Sequence, residues 1–514
     1  MFNRAVGAMA ATAAVLLGPA LAHTVTAETT APVAPVADAR PIGLLVGAAK
    51  SSIAPRPEDF GGTWETDPAA CRTLSPEFLQ RLGTTPQDAS HLADTGSPWP
   101  ENPDCIYQGG FGIGPMNPVS SFDSDLGLWV RSIAIGDGAD TAVLTVVDGE
   151  GWMWDYATKC ARCGAKQLTQ DLGAELGIDP AGIVIATTHS HAAPDFIGGW
   201  GFVPDWYMTQ VTDTIRRTVR EAVGAMEPAV VEVGEVEARP FNRERRGTYR
   251  SAEEQQVGWL RAYVPARRSG GAGPQTPRVI ATLGAYAAHP VTKGTNGGVA
   301  HPDWPGAFEH RLEDRFGGVG LHFMTGLGNM SPAGDTASIA GLIPPVGSGT
   351  PVRSADVSAQ RVTWRQPATN LPLTALAAPG FFDRRLEPTP ASVSTGKSST
   401  APCSSSSPVS AEVAAGLIRV GDELAITTGP GELFSNLSNT IKEKSPATVT
   451  LPLAQANDAL GYIPQSFEIS PVGQQGLGFV AGGYLIVNYE DSYAIDRCFG
   501  DMVLEQTLDL LEGA

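Results

Sequence analysis

Eight histidines are spread over 514 residues, and the densest group is Thr187-Thr188-His189-Ser190-His191, directly after the apolar run Ile183-Val184-Ile185-Ala186. Side chains alternate sides along extended backbone, so an H-x-H pair sends both imidazoles to one side, where they can converge on a metal ion and its water. A further histidine, His289 in Ala287-Ala288-His289-Pro290, also ends an apolar run, and His301-Pro302-Asp303-Trp304 follows a Gly/Asn-rich loop. Zinc takes three or four N, O or S ligands from separated elements, and a catalytic zinc keeps one position for water. His189 and His289 alone are too few. Thr427-Thr428-Gly429-Pro430-Gly431-Glu432 adds a carboxylate on a Gly/Pro loop after the apolar run Leu424–Ile426. The same residues are also compatible with plainer roles: loop histidines bonded to backbone groups, and a glutamate capping the next helix.

The elements that must position these loops read as mixed. Strand-like runs span Gly43–Ala49, Leu128–Ile135, Thr141–Val147, Gly182–Ala186, Ala229–Val236, Arg278–Ala287 and Gly320–Thr325. Helical spacing spans Gln167–Leu176, Trp206–Met226, Pro305–Phe316 and Met502–Leu511. Such an order, with Gly-rich loops after strands, predicts a layered, mixed α/β enzyme. No internal repeat is visible. Residues 51–121, dense in Pro, Gly, Asp and Trp, read as an irregular insertion, and 336–410 as a second one that ends in the low-complexity stretch 392–410. The halves on either side of that stretch each hold part of the candidate site, so one catalytic domain over 41–514 is expected.

Composition narrows the function. Lys plus Arg total 35 against 54 Asp plus Glu, a net charge of −19, whose field repels polyanions and argues against a nucleic-acid partner. Arg4 precedes an apolar, Ala-rich run that ends in Ala20-Leu21-Ala22, the small-x-small pattern of a signal peptide. Residues 1–27 are therefore expected to be removed, leaving a mature N-terminus between His23 and Glu28, a linker over 28–40 and an exported, secreted protein. No later segment has the ~18 apolar residues of a spanning helix, so membrane contact is expected to be peripheral. The six cysteines are an even number in an apparently exported chain, which favours disulfides. Cys71 with Cys105 is expected as a local staple. Cys160-Ala161-Arg162-Cys163 has the spacing of a metal knuckle or redox pair, but no second pair follows, and a structural disulfide is the better reading.

Several segments resemble, in the same order, motifs of the neutral (non-lysosomal) ceramidase family. ATTHSHAAPD (186–195) is similar to the family's THTHSGP loop, AAHPVTKG (287–294) to its HPTS-type loop, and GLGNMSPAGD (326–335) to its GDVSPN-type segment. GPGE (429–432) and NDALGYI (457–463) resemble the remaining ligand segments, and Leu45–Lys50 loosely matches the opening strand. The resemblance covers about residue 41 to the C-terminus. It implies a zinc-dependent amidohydrolase with His189, His289, Glu432 and Tyr462 as ligands and His191 beside the metal's water. It also implies a substrate-contacting arginine, Arg243 in Phe241-Asn242-Arg243, whose neighbours Arg245 and Arg246 could shift the register, and a carbonyl-binding tyrosine, Tyr489. The chain departs from the family where Pro290-Val291-Thr292-Lys293 follows His289 and where Ala300-His301-Pro302-Asp303 stands in place of an SGD-type segment. The C-terminal immunoglobulin-like domain of typical members is also not expected here, because no series of alternating strands follows the last helix. The implied substrate is ceramide or another small, N-acylated amphiphile. A zinc esterase or peptidase on the same site, or a non-catalytic lipid- or surface-binding protein, are the rivals.

Overall fold

The computed structural model describes residues 42–56, 64–71, 102, 104–110, 117–157, 159–160, 162–246, 252–266, 276–370, 383–390, 403, 405–469 and 489–513. The expected leader and linker, and most of the stretch 392–410, lie outside these residues.

Strands β1 (Leu45–Ser52), β2 (Trp129–Gly136), β3 (Thr141–Val147) and β4 (Ile183–Thr187) form a first sheet in the order β4-β3-β2-β1, with Glu227–Pro228 on its edge. The pairs β1–β2 and β2–β3 are antiparallel, whereas β3–β4 is parallel. A parallel pair needs a crossover, supplied here by helix α1 (Ala165–Leu176); α2 (Asp205–Gly224) then leads to the second sheet. That sheet holds β5 (Val230–Glu237), β6 (Gln256–Val264), β7 (Arg278–Tyr286) and β8 (Val319–Met324) in the order β8-β7-β6-β5, with Thr350–Pro351 on its edge. Again two antiparallel pairings precede a parallel one, and α3 (Asp303–Phe316) makes the crossover. The third sheet, β9 (Val357–Pro367), β10 (Val409–Val420), β11 (Leu424–Thr428) and β12 (Val449–Leu453), follows the same rule with α4 (Ser435–Lys444) as its crossover, and α5 (Phe499–Glu512) ends the described chain. One topology thus occurs three times in a chain whose sequence shows no repeat.

Strand alternation explains how the sheets meet. Ile133, Ile135, Leu144, Val146, Val184 and Ala186 point to one side and join Val231, Leu260, Leu283 and Phe323 of the second sheet and Ile418, Ile426 and Leu451 of the third in a shared core. Their sequence neighbours Ala134, Val143 and Ile183 face the other way and pack with Leu172 of α1 and Val219 and Ala222 of α2. Phe308 and Leu312 of α3, Leu437 and Ile441 of α4 and Phe499 and Val503 of α5 lie in the core on the outer faces of the other two sheets. Each such side chain contributes about 1.5–3 kcal/mol on burial, so the layering follows from the apolar patterning. Close approach of helix to sheet requires glycine at two points: a Cβ on Gly47 would lie 2.1 Å from the Ala222 carbonyl oxygen, and one on Gly320 2.3 Å from that of Glu309.

Two expectations shift. Part of the segment read as an insertion over 336–410 is β9, which pairs with β10 from Val357–Val420 to Pro367–Ser410; its alternating polar positions hid it. The helices α1, α2, α3 and α5 also begin earlier than their apolar spacing predicts. Cys71 pairs with Cys105 as expected, Cys160 with Cys163, and Cys403 with Cys498, which leaves no free cysteine. Among the described residues, no helix is long and apolar enough to cross a membrane.

Candidate metal centre

Three strand-end loops deliver the candidate ligands. His189 lies two residues beyond β4 at φ +56, a left-handed conformation that a non-glycine residue adopts only when its surroundings impose it. Those surroundings are visible: Thr188 N–H donates to the Val147 carbonyl and Thr187 N–H to that of Gln455, so the turn is tied to strand ends of two sheets. His289 follows β7, with its N–H on the Met330 carbonyl and the Trp304 indole N–H donating to its own carbonyl at 3.2 Å. Glu432 begins the short strand Glu432–Leu433, which pairs in parallel with Tyr462–Ile463 so that Glu432 and Tyr462 are direct partners.

All three imidazoles are oriented by backbone carbonyls. His189 Nδ1 bonds Glu150 O at 2.6 Å, His191 Nδ1 bonds Gly110 O at 2.7 Å and His289 Nδ1 bonds Leu327 O at 2.8 Å. A carbonyl only accepts, so each Nδ1 carries the hydrogen and each Nε2 is left as the lone-pair atom, the arrangement usual for metal-binding histidines. The three rings are buried, and one nitrogen from each lies within 4.8 Å of the others.

Glu432 completes the pattern. Its Oε2 lies 2.9 Å from His289 Nε2 and 3.7 Å from His189 Nε2, and neither His289 Nε2 nor Glu432 Oε2 has a hydrogen-bond partner. Two acceptors face each other there, and something positive must lie between or beside them. Burial holds the His289 ring well below its usual range and His189 at about 3, so neither ring carries the charge itself. A divalent cation fits: ligands ~2.0–2.1 Å from a tetrahedral ion stand ~3.3 Å apart, between the two distances seen. Burial raises the Glu432 carboxyl, offset by His189, by Arg245 and by a hydrogen bond with Tyr462.

The remaining candidates divide. Arg243 is exposed, whereas Arg245 reaches the cluster, because the strand Asn242–Glu244 ends before it and the chain bends, with Arg245 N–H on the Asn329 carbonyl. Arg245 donates to Tyr462 Oη at 3.1 Å, to Gly328 O at 2.8 Å and to Glu490 at 2.9 Å. Tyr489 opens the short turn Tyr489–Tyr493, but its side chain lies outside the described residues; the Tyr493 ring stands 6.5 Å from that of Tyr462. His301 is apart from the cluster, with Nδ1 accepting from Asp303 N–H at 2.8 Å. The segment read as the insertion 51–121 reaches the centre, since Gly110 supplies the carbonyl that holds His191.

Sequence reasoning missed Glu150. It is fully buried, its Oε1 lies 3.5 Å from His191 Nε2, and burial, then Asp195 and Glu432, push its carboxyl well above the usual range. Its available signal was position, directly past the run Thr141–Val147.

These three sheets and the cluster at their strand ends define a mixed α/β, neutral-ceramidase-like fold. The particular likenesses are to the neutral ceramidase from Pseudomonas aeruginosa, at 13% identity and a TM-score of 0.57 over 93% of this chain and 75% of that one, and to a ceramidase complexed with C2, at 13% identity and 0.57 over 91% and 74%. No protein-family model and no curated protein sequence matches the chain.

Proposed function

We propose that this protein is a secreted, zinc-dependent amidohydrolase that cleaves the N-acyl bond of ceramide or a related N-acylated amphiphile. The observation that carries the reading is the pair of facing, unpartnered acceptors His289 Nε2 and Glu432 Oε2 at 2.9 Å, on a fold shared with neutral ceramidases. His189, His289, Glu432 and Tyr462 would hold the ion. Zinc bound there would supply a strong nucleophile from water at neutral pH and polarise the scissile carbonyl.

The chain's own residues account for the rest. The three Nδ1 bonds to backbone carbonyls hold the rings rigid, so little reorganisation is needed as charge develops. Arg245 places its cation on Tyr462 Oη, favouring the phenolate and adding positive potential where an amide carbonyl gains negative charge. His191 moves the proton: as water's oxygen bonds the carbonyl carbon and the C–N bond breaks, its Nε2 takes a proton from water and returns it to the leaving amine. By the family resemblance, Tyr489 would add a hydrogen bond to the developing oxyanion. The pairing of every cysteine supports an oxidising compartment, and contact with a lipid surface would be peripheral.

The test combines metal analysis of the purified protein with hydrolysis of a panel of acyl-amides that includes a ceramide. About one zinc per chain and release of a fatty acid are expected, with both abolished in His289→Ala. Full metal occupancy in that variant, or no hydrolysis by the zinc-loaded wild type, overturns the reading.

A further inference from the structure

The three repeated sheets each send one strand into the centre by the same route. His289 lies three residues past the end of β7 and Glu432 four past the end of β11; both strands are the first member of their sheet's parallel pair. The corresponding strand of the first sheet is β3, and three residues past its end stands Glu150. We propose that Glu150 is a further ligand of the metal centre, delivered from the first sheet as His289 and Glu432 are from the second and third. The proposal rests on the metal-centre reading above and adds a residue to it.

The local geometry supports it independently of the repeat. Glu150 is fully buried and neither carboxylate oxygen has a hydrogen-bond partner. An ionised carboxylate in that position needs a cation, since no N–H or O–H satisfies it. Its Oε1 lies 3.5 Å from His191 Nε2 and 3.9 Å from His189 Nδ1, the protonated nitrogen on the far side of that ring, so it approaches the triad at His191, whereas Glu432 lies against Nε2 of both His189 and His289. The backbone is held on both sides: Glu150 N–H donates to the Pro194 carbonyl at 3.1 Å, and its own carbonyl accepts from His189 Nδ1 at 2.6 Å. The chain passes close over the carboxylate: a Cβ on Gly109 would stand 2.3 Å from Glu150 Oε2 and displace it. Nearby Asp195 and Glu432 add negative charge, and Arg245 is bonded to Glu490. A second carboxylate brings the protein donors to five, so an ion that also keeps its water would be six-coordinate with Glu150 bound and five-coordinate without it.

The test is a Co2+ titration of the metal-free wild type and of Glu150→Gln, followed by Zn2+ competition against a chelator. Expected are a weak, six-coordinate visible absorption in the wild type, a shift towards the stronger five-coordinate bands in E150Q, and metal binding weakened by more than about 100-fold, beyond the 10- to 100-fold cost of losing an outer partner. Glu150→Asp, which keeps a carboxylate, should bind more tightly than E150Q; if E150Q melts too low to titrate, E150D is read instead, and a displaced spectrum with weakened binding is required of it. An unchanged spectrum and affinity in the variant overturn the proposal and leave the metal centre standing. A wild type that binds neither Co2+ nor Zn2+ overturns both.

Discussion

Arg245 and Arg243 make opposite predictions. Arg245→Gln removes the cation from Tyr462 Oη, 3.1 Å away, and from the buried carboxylate of Glu490, 2.9 Å away. A hydrogen bond involving a charged group is worth about 1.5–3 kcal/mol, so loss of the Tyr462 contact should lower kcat/KM for an acyl-amide roughly 10- to 150-fold. The Glu490 contact acts on stability instead. Leaving one partner of a buried ion pair costs about 3–5 kcal/mol, and the lower end applies because Arg246 remains 3.9 Å from Glu490. Arg245→Lys keeps the charge but not the planar fork and should fall between. Arg243→Gln, on an exposed side chain, should leave kcat/KM within about twofold and stability within about 0.5 kcal/mol. The assay is steady-state hydrolysis with zinc content and thermal melting measured on the same preparations. A large loss in R243Q with none in R245Q would show that the arginine reaching the substrate is the one the sequence resemblance named, and that the bend after Glu244 has been misread.

His189→Ala should release the metal, whereas His191→Ala should keep it and lose roughly 10²- to 10⁴-fold in rate; metal analysis of both variants decides, and the reverse pattern exchanges the two roles. Cys403→Ser together with Cys498→Ser opens a loop of 95 residues, for which the chain-entropy model gives up to about 4.7 kcal/mol; denaturant unfolding should show a loss of about 2–5 kcal/mol, and an unchanged midpoint contradicts it. His322, packed between Trp304 and Phe308, has its pKa pushed down by burial to about 3. Its folded pKa is therefore below the unfolded value of about 6.5, so its contribution is complete above pH 6.5 and is lost as pH falls towards 3, about 2 kcal/mol by pH 5. His322→Phe should flatten the acid limb of the stability curve between pH 6.5 and 5, and an unaltered slope would mean that the ring is already charged in the fold.

How much of this was legible in the sequence depended on the kind of signal. Apolar runs such as Thr141–Val147 and Ile183–Ala186 read correctly as strands because both faces are buried, one on the shared core and one under α1 and α2. β9 was hidden for the opposite reason: Ser358, Gln360 and Arg361 interrupt a strand that is only partly covered, and its composition resembles a loop. Individual site residues followed the same division. His189, His191 and His289 were visible because histidine is rare in the chain and stood at strand ends. Glu150 was not, since one glutamate in Asp148-Gly149-Glu150-Gly151 looks like turn chemistry, and only burial without a partner distinguishes it. Arg245 could not be separated from Arg243 because the end of a three-residue strand decides which one turns inward.

The repeated topology gives these details a common cause. A parallel pair joined by a crossover helix leaves the loop after its first strand at the carboxyl edge of the sheet, where open α/β sheets bind their ligands. Three sheets turned onto one core bring three such edges together, so side chains far apart in sequence, at 150, 289 and 432, meet without any local motif to announce them. The second strand of the first pair adds His189 and His191, and the pairing of Glu432 with Tyr462 adds the phenol. Two of the candidate ligands are held by bonds to carbonyls at different strand ends: His189 to the loop after β3, and His289 to the loop after β8. Binding energy at an ion held there would therefore be shared among all three sheets, and a change in how any one packs on the core would displace a donor.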